Sequence, residues 1–456
     1  MLIQNREGLI KNGYSDRDRR AREIALEVLE KALLEADPKR AIKKAVKLGG
    51  NILDINGTEF DLQEIENIYV IGGGKAGGGM AEALEEILGK RILKGFMNIP
   101  EGTKKRYRVF RVELNEASHP IPNEKGVEGS RRILEIANEA DEKDLVMVLI
   151  SGGGSSLMPL PLEGLSLEDL QSVTNELLRS GAVINEVNAV RKHLSGIKGG
   201  RLAMACHPAK VVALIISDVV GDPLDVIASG PTVPDPSTYS EAVRILEKYG
   251  IIDKFPRIWK HLETGSKGKM PESLKPDDKA FNRVHNFLIG TNEIVIQNVV
   301  KDISKRYDVE ILATDMEGEA REVGGMLADT VMKKKRSKSP ADKPQVILAG
   351  GETTVTVKGK GAGGRNQELV LGAMSKLEGE GIVIASIGTD GIDGTTNVAG
   401  AIADGRSHKK ALELGLSPFD YLDNNDSYNF FKRLKELLIT GPSGTNVNDI
   451  VVMVLV

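Results

Sequence analysis

The sequence predicts an α/β protein of two domains, built on helix-covered and mainly parallel sheets. Three observations carry that expectation. Apolar, β-branched runs alternate with stretches of helical spacing along the whole chain. Several runs, such as 145–150 and 211–216, are continuously apolar, as strands covered on both faces must be. A length of 456 residues also exceeds what one hydrophobic core normally organises. In sheets of this kind ligands bind beyond the carboxyl ends of the strands. The loops that close the apolar runs are therefore where chemistry is sought.

Composition narrows the field. A net charge of −4 leaves no electrostatic footprint for nucleic acid or an anionic membrane surface. No signal peptide opens the chain, and no apolar run reaches the ~18 residues that a membrane span needs. The single cysteine, Cys206, excludes an internal disulfide and suits a reducing cytoplasm. Six scattered histidines and that cysteine give no zinc-ligand spacing.

Taken in order, Ser15 can cap a helix on which Ala25, Val28, Leu29, Ala32 and Leu33 keep a helical period. A strand at 65–71 runs into Gly72-Gly73-Gly74-Lys75-Ala76-Gly77-Gly78-Gly79 and a helix start. A second strand is expected at 94–99, a loop at 115–122 and a helix at 126–139. The strand at 145–150 ends in Ser151-Gly152-Gly153-Gly154-Ser155-Ser156, and the one at 211–216 ends in Ser217-Asp218-Val219-Val220-Gly221-Asp222. Residues 264–278, rich in Gly, Lys, Pro and Ser, read as an inter-domain linker, giving domains 1–265 and 266–456. Beyond it, strands at 286–289, 309–313, 345–348, 353–357, 382–387 and 450–456 alternate with helices near 293–306, 318–335 and 365–377. The basic run 333–338 reads as a solvated helix end.

The Gly72 loop is the strongest motif. A strand, glycines and a helix start would aim bare backbone N–H groups and the positive end of a helix dipole at one spot, where Lys75 adds a full charge. The bland alternative is a tight βα turn with an exposed lysine. Gly72-x-Gly74-x-x-Gly77 matches a dinucleotide fingerprint in form, but the next strand reaches Pro100 with no acid to hold a ribose hydroxyl. A Walker A loop fails because Tyr69 replaces its first glycine and Ala76 its magnesium-binding hydroxyl.

The other loops offer matching chemistry. Ser151, Gly153 and Ser155 can donate to an anion, and Arg191, Lys192, Lys198 and Arg201 form a dense cationic stretch. Asp218 with Asp222, and Asp390 with Asp393, each close a buried strand; they are turn residues or carboxylates for magnesium and phosphate work. Arg365 follows flexible glycines at a helix start, where its planar fork suits a phosphate or carboxylate. His119 and His193 stand in no recognisable base–nucleophile pattern. Glycine loops, one lysine, one arginine and loop carboxylates together fit phosphoryl transfer, in which positioning and charge neutralisation do most of the work.

The segments 72–76, 151–156, 188–195, 217–223, 350–354, 363–368, 389–394 and 441–447, in this order, resemble the glycerate 2-kinases of the MOFRL type, the archaeal members above all. The resemblance implies a Rossmann-like, doubly wound and mostly parallel first domain, a smaller α/β second domain, and an active site in the cleft between them. It implies ATP- and Mg²⁺-dependent phosphorylation of D-glycerate at its 2-hydroxyl, in a branch of Entner–Doudoroff sugar breakdown. The family's essential lysine and arginine fall on Lys75 and Arg365.

From this follow the expected roles. Lys75 and its loop, with Gly73 and Gly74, would hold the transferring phosphoryl, and Arg365 would neutralise its charge. Asp218 would accept the hydroxyl proton, while Asp390 and Asp222 would serve magnesium, or Asp218 and Asp390 would exchange these roles. Ser151, Gly153, Ser155, Arg191, Lys192, Glu352 and Asn366 would bind glycerate or nucleotide. Two other readings remain open: an NAD(P)H-dependent hydroxypyruvate reductase, and a non-catalytic regulator that binds a nucleotide or sugar acid. A homodimer is expected, with small molecules as the only other partners.

Overall fold

The computed structural model describes residues 2–337 and 343–456. It contains two compact units: Pro38–Ile289, and a second made of Met1–Asp37 with Gly290–Val456.

The 38–289 unit opens with an antiparallel meander, β1 (Val46–Gly49), β2 (Ile52–Ile55) and β3 (Thr58–Asp61), which no pattern in the sequence had suggested. Its main sheet holds β4 (Ile68–Gly73), β5 (Ile92–Pro100), β6 (Val112–Ala117), β7 (Leu145–Ser151), β8 (Lys210–Ile216) and β9 (Val284–Gly290). The order is β6-β5-β4-β7-β8-β9, the 3-2-1-4-5-6 winding of doubly wound folds. The pairs β5–β6, β4–β5, β4–β7 and β7–β8 are parallel. The winding reverses between β4 and β7, so the loops that follow those two strands flank the switch point where such sheets bind ligands.

All residues of β4 and β7 are buried, which explains their unbroken apolar runs. Tyr69, Ile71, Val146 and Val148 pack with Ile133 and Ile136 of the helix Glu124–Glu139, whose first turn Asn123 caps through the Gly126 N–H. The helix Gly77–Leu88 covers β4, β5 and β7. A separate cluster gathers the helices Leu167–Arg179, Ile184–His193, Tyr239–Lys248 and Pro256–Ser266 around Val173, Val190, Leu246 and Leu262. It fixes the helix that carries Arg191.

The second unit holds β10 (Asp308–Met316), β11 (Gln345–Gly351), β12 (Ile382–Gly388), β13 (Gly400–Asp404), β14 (Leu437–Leu438) and β15 (Asp449–Leu455), in the order β10-β11-β15-β12-β13-β14. Only the β10–β11 pair is parallel. The alternation of strands and helices overstated parallel pairing here. β13 returns directly beside β12, and the chain end enters the middle of the sheet as β15, antiparallel to both neighbours.

The structure divides the chain along a different line from 1–265 and 266–456. The helix Asp16–Glu35, capped by Ser15 with a reciprocal Asp18 contact, packs on β12, β15 and the helix Asn292–Ile303. Its buried Arg22 donates to Asp404 at 2.7 Å and also reaches Glu436. Nor is 264–278 a free linker. Glu272 accepts the Tyr239 N–H at 3.0 Å, the Asp235 N–H donates to the Leu274 carbonyl at 2.8 Å, and Lys275 donates to the Asp235 carbonyl at 2.9 Å. Two further expectations fail. Residues 115–117 extend β6 and are not loop, and 353–357 form no strand, only a single bridge from Thr354 to Glu319. Lys333 to Arg336 do end a helix, while Lys338 lies outside the described residues.

Candidate active site

The loop after β4 is more closed than its glycines suggested. The N–H of Gly74 donates to the Asn98 carbonyl at 3.1 Å and that of Lys75 to the Gly152 carbonyl at 2.8 Å. The Ala76 N–H donates to Ser151 Oγ at 3.0 Å. Three amides expected to face an anion are therefore spent on joining this loop to its neighbours, and Ser151 is spent with them. The glycines answer a packing demand: a methyl on Gly72 would lie 2.0 Å from the Leu149 carbonyl, one on Gly73 2.8 Å from Met158 Cγ, and one on Gly78 2.3 Å from the Tyr107 ring. Lys75, half-buried, is what this loop presents.

The loop after β7 lies opposite it and gathers the chemistry. Gly153 has φ +78°, and a methyl there would meet His119 Cδ2 at 2.9 Å and Lys75 Cγ at 3.1 Å. A methyl on Gly152 would sit 1.9 Å from Asp218 Oδ2. The stem of a lysine and an imidazole at Gly153, and a carboxylate at Gly152, thus meet two adjacent glycines that leave room for them. Burial, with the Lys75 charge beside it, lowers His119 to about 4, so the ring is neutral at ordinary pH.

Two residues further on, Ser155 meets the cations. Arg191 Nη2 donates to Ser155 Oγ at 2.6 Å, and Lys198 Nζ to the carbonyls of Ser155 at 2.8 Å and Met158 at 3.3 Å. No carboxylate of the described residues pairs with either cation. Burial alone lowers Arg191 to about 10, and burial followed by the Arg191 charge drives Lys198 well below its ordinary value. Ser155 Oγ also touches Ser229 Oγ at 2.9 Å, and Ser229 donates to Asn188 Oδ1 at 3.2 Å. Ala228 and Ser229 both hold positive φ, 50° and 62°. Two such residues in a row cost about 1–3 kcal/mol each and persist where surrounding structure forces them, commonly at functional sites.

The remaining cations and histidine of this stretch are occupied. Lys192, expected at the substrate, is buried and paired with Asp225 at 3.1 Å and Asp235 at 3.3 Å. Arg201 donates to the Lys192 carbonyl at 3.1 Å. His193 lies between the Ala189 carbonyl and Glu272, both at 2.7 Å, and has no access to a substrate. Cys206 is buried, its thiol pushed up to about 12, and is chemically inert.

In the second unit, Arg365 begins the helix Arg365–Met374, as its glycines suggested. Its guanidinium is already held: Nε and Nη2 grip both oxygens of Asp449, at 2.6 and 3.1 Å, and Nη1 reaches Glu352. Asp449 is the first residue of β15, level with the ends of β11 and β12 through Gly351 and Gly388. Burial raises its carboxyl above the usual range while Arg365 pulls it back. Both oxygens of Asp393 are consumed by the backbone and side-chain N–H groups of Asn366 and Gln367, so it caps this helix. Asn366 Oδ1 in turn accepts from Ser386 Oγ at 2.5 Å. Asp390 commits one oxygen, to the Ile392 N–H at 3.0 Å.

Among the described residues no three His, Cys, Asp or Glu side chains form a ready metal cluster. Mg²⁺ in phosphoryl-transfer sites usually takes one or two carboxylates and otherwise binds substrate phosphates and water. Half-exposed Asp390, with an oxygen to spare, fits that donor set; Asp393 does not. Asp222 adopts φ +53° in the loop after β8, the turn role that remained open for it.

Sequence reasoning placed Lys198 only within a cationic stretch, missed Asn188, Ser229 and Asp449 as site residues, and gave His119 no role. Lys198 and Lys192 look alike in sequence, and only the distant Asp225 and Asp235 tell them apart.

Residues 24–263 match the model of a domain of unknown function, DUF4147, and 345–449 match that of the MOFRL family. The D-glycerate 2-kinase of Thermotoga maritima is 44% identical over 95% of this chain and 98% of its own. The glycerate 2-kinase of Pyrococcus horikoshii is 44% identical over 95% and 97%. A crystal structure of Thermotoga maritima glycerate kinase aligns with TM-score 0.84 at 41% identity, covering 99% of this chain and 100% of that one. A relative from Agrobacterium vitis, 39% identical over 390 residues, carries a provisional hydroxypyruvate reductase name. No helix among the described residues is long and apolar enough to cross a membrane.

Proposed function

This chain belongs to the DUF4147/MOFRL family of glycerate kinases, and from that premise we propose that it transfers the γ-phosphoryl of ATP to the 2-hydroxyl of D-glycerate, giving 2-phospho-D-glycerate. The observation that carries the reading is the convergence of Lys75, His119 and Asp218 on Gly152 and Gly153 at the sheet's switch point. An ammonium there can neutralise a phosphoryl in flight, and a carboxylate beside it can take the proton the acceptor hydroxyl loses.

In this mechanism Asp218 holds the 2-hydroxyl and accepts its proton as the oxygen attacks phosphorus. Lys75 offsets the negative charge on the phosphoryl oxygens. Arg365, oriented by Asp449 and Glu352, is the second cation assigned to the reaction. Asp390 would hold Mg²⁺, which supplies charge neutralisation on the nucleotide phosphates. Glu352 acts through Arg365, and Asn366 through the Asp393 cap.

The reductase alternative shares the three-carbon acid, but β5 ends at Pro100 without the acid a nicotinamide ribose requires. Incubation with D-glycerate and ATP, followed by ³¹P and ¹³C NMR of the product, decides the matter. Phosphorus coupled to C2 is expected. Phosphate on C3, or NADH oxidation with hydroxypyruvate in place of ADP release, would overturn the proposal.

A further inference from the structure

We infer that Arg191 and Lys198 form the seat of the acceptor's carboxylate, so that the site selects short hydroxy acids over the corresponding polyols and amides; this rests on the kinase reading above. Buried Lys198 and half-buried Arg191 lie side by side, answered among the described residues only by the oxygens of Ser155 and Met158. Lys192, nearby in sequence, shows what a compensated buried cation looks like here, with Asp225 and Asp235 on it. A buried cation pair without a carboxylate is costly, and a ligand that carries one relieves it.

The donors left over favour a carboxylate over a phosphoryl group. Two of the three Lys198 ammonium hydrogens are directed at carbonyls, leaving one. One Arg191 nitrogen is engaged by Ser155, leaving the rest of a planar fork. That residual set matches a flat, two-oxygen monoanion. Burial and the Arg191 charge both press Lys198 to give up its proton, and one negative charge relieves both pressures.

Position agrees. Ser155 is two residues beyond Gly153, where Lys75 and His119 meet. In a 2-hydroxy acid the carboxyl carbon is bonded to the carbon that reacts, so an acid seated at Ser155 presents its hydroxyl toward that meeting point. The strained Ala228–Ser229 pair keeps the Ser229 hydroxyl against Ser155.

The test compares wild type with Lys198→Met and Arg191→Gln, after thermal melts show which variants fold. The KM for D-glycerate should rise about 30-fold or more in each, with the KM for ATP unchanged. The preference of wild type for D-glycerate over D-glyceramide should collapse. A rise in the ATP KM with glycerate unaffected would assign the cations to nucleotide phosphate and overturn the inference. Unchanged values for both substrates would overturn it too. If wild type makes no ADP from D-glycerate, the kinase reading fails on its own. Calorimetric titration of D-glycerate into the ATP-free proteins then still decides the seat: binding by wild type but not by the variants upholds it, and equal binding removes it.

Discussion

Beside the loop that follows β7, half-buried Arg191 and buried Lys198 are cations answered by hydroxyl and carbonyl oxygens. At the ends of β11 and β12, Arg365 is a half-buried cation answered by Asp449 and Glu352, with Asp390 and Asp393 in the loop that follows β12. Among the described residues Arg191 and Lys198 pair with no carboxylate, whereas the second cluster has four carboxylates to one guanidinium. The difference lies in what each cluster still lacks. The first would be completed by an anion, the second by a cation. Arg365, read from its motif as an open clamp, is instead a guanidinium held in place.

The sharpest way to break this division is to remove one cation from each unit. Lys75→Ala and Arg365→Ala should each lower ADP release with D-glycerate by about 10²–10³ or more, the cost of losing a preorganised charge. If both act on one phosphoryl group, the double variant should lose less than the product of the two. Fully multiplicative losses in a double-mutant cycle would mean that the two units serve separate steps.

Stability should separate the clusters next. Asp449→Asn takes the two-oxygen carboxylate from Arg365 and leaves it Glu352, and should cost about 3 kcal/mol, measured as a lower urea midpoint. Lys198→Met strands no carboxylate and should cost less, because the charge it removes is answered only by the carbonyls of Ser155 and Met158 among the described residues. Equal losses would mean that Lys198 is compensated after all.

Why the sequence revealed one half of this contrast better than the other follows from distance along the chain. Lys75 and its glycines are contiguous, as are Ser151 to Ser155, so strand, turn and charge could be read together. Arg365 and Asp449 are 84 residues apart, and nothing local to Arg365 announces its partner. The same reason hid the difference between Lys192 and Lys198, and the spent amides of residues 74–76, whose acceptors lie on β5 and β7 or just beyond. Helix Asp16–Glu35 showed its apolar stripe but not which sheet it covers, so the division of the chain could not be read from periodicity. The 264–278 segment has the composition of a linker, yet its polar groups find buried partners, which composition does not encode.

A smaller effect should test the cation half. Asp390→Asn should raise the Mg²⁺ concentration for half-maximal activity by about tenfold, the loss of one charged ligand worth roughly 1.4 kcal/mol, and leave the KM for D-glycerate unchanged. A shift in the glycerate KM instead would move Asp390 out of the metal role.

The contrast also has a pH signature, and its sign follows from it. His119, lowered to about 4 by burial and the Lys75 charge, stays neutral in the folded protein, whereas the unfolded chain titrates near the ordinary ~6.5. Between those values the unfolded state binds a proton that the folded state refuses, so His119 contributes stability that is lost as pH falls from about 6.5 to about 4. The buried carboxyls of the other unit, Asp393 and Glu436, are raised by burial and act in the opposite sense, favouring the folded state as pH falls. His119→Gln should therefore flatten the fall of the thermal midpoint between pH 6.5 and pH 4 without changing the plateau above pH 7. An unchanged slope would mean that the imidazole takes its proton normally beside Lys75. The cluster would then tolerate one more positive charge than a site completed by a single acid can hold.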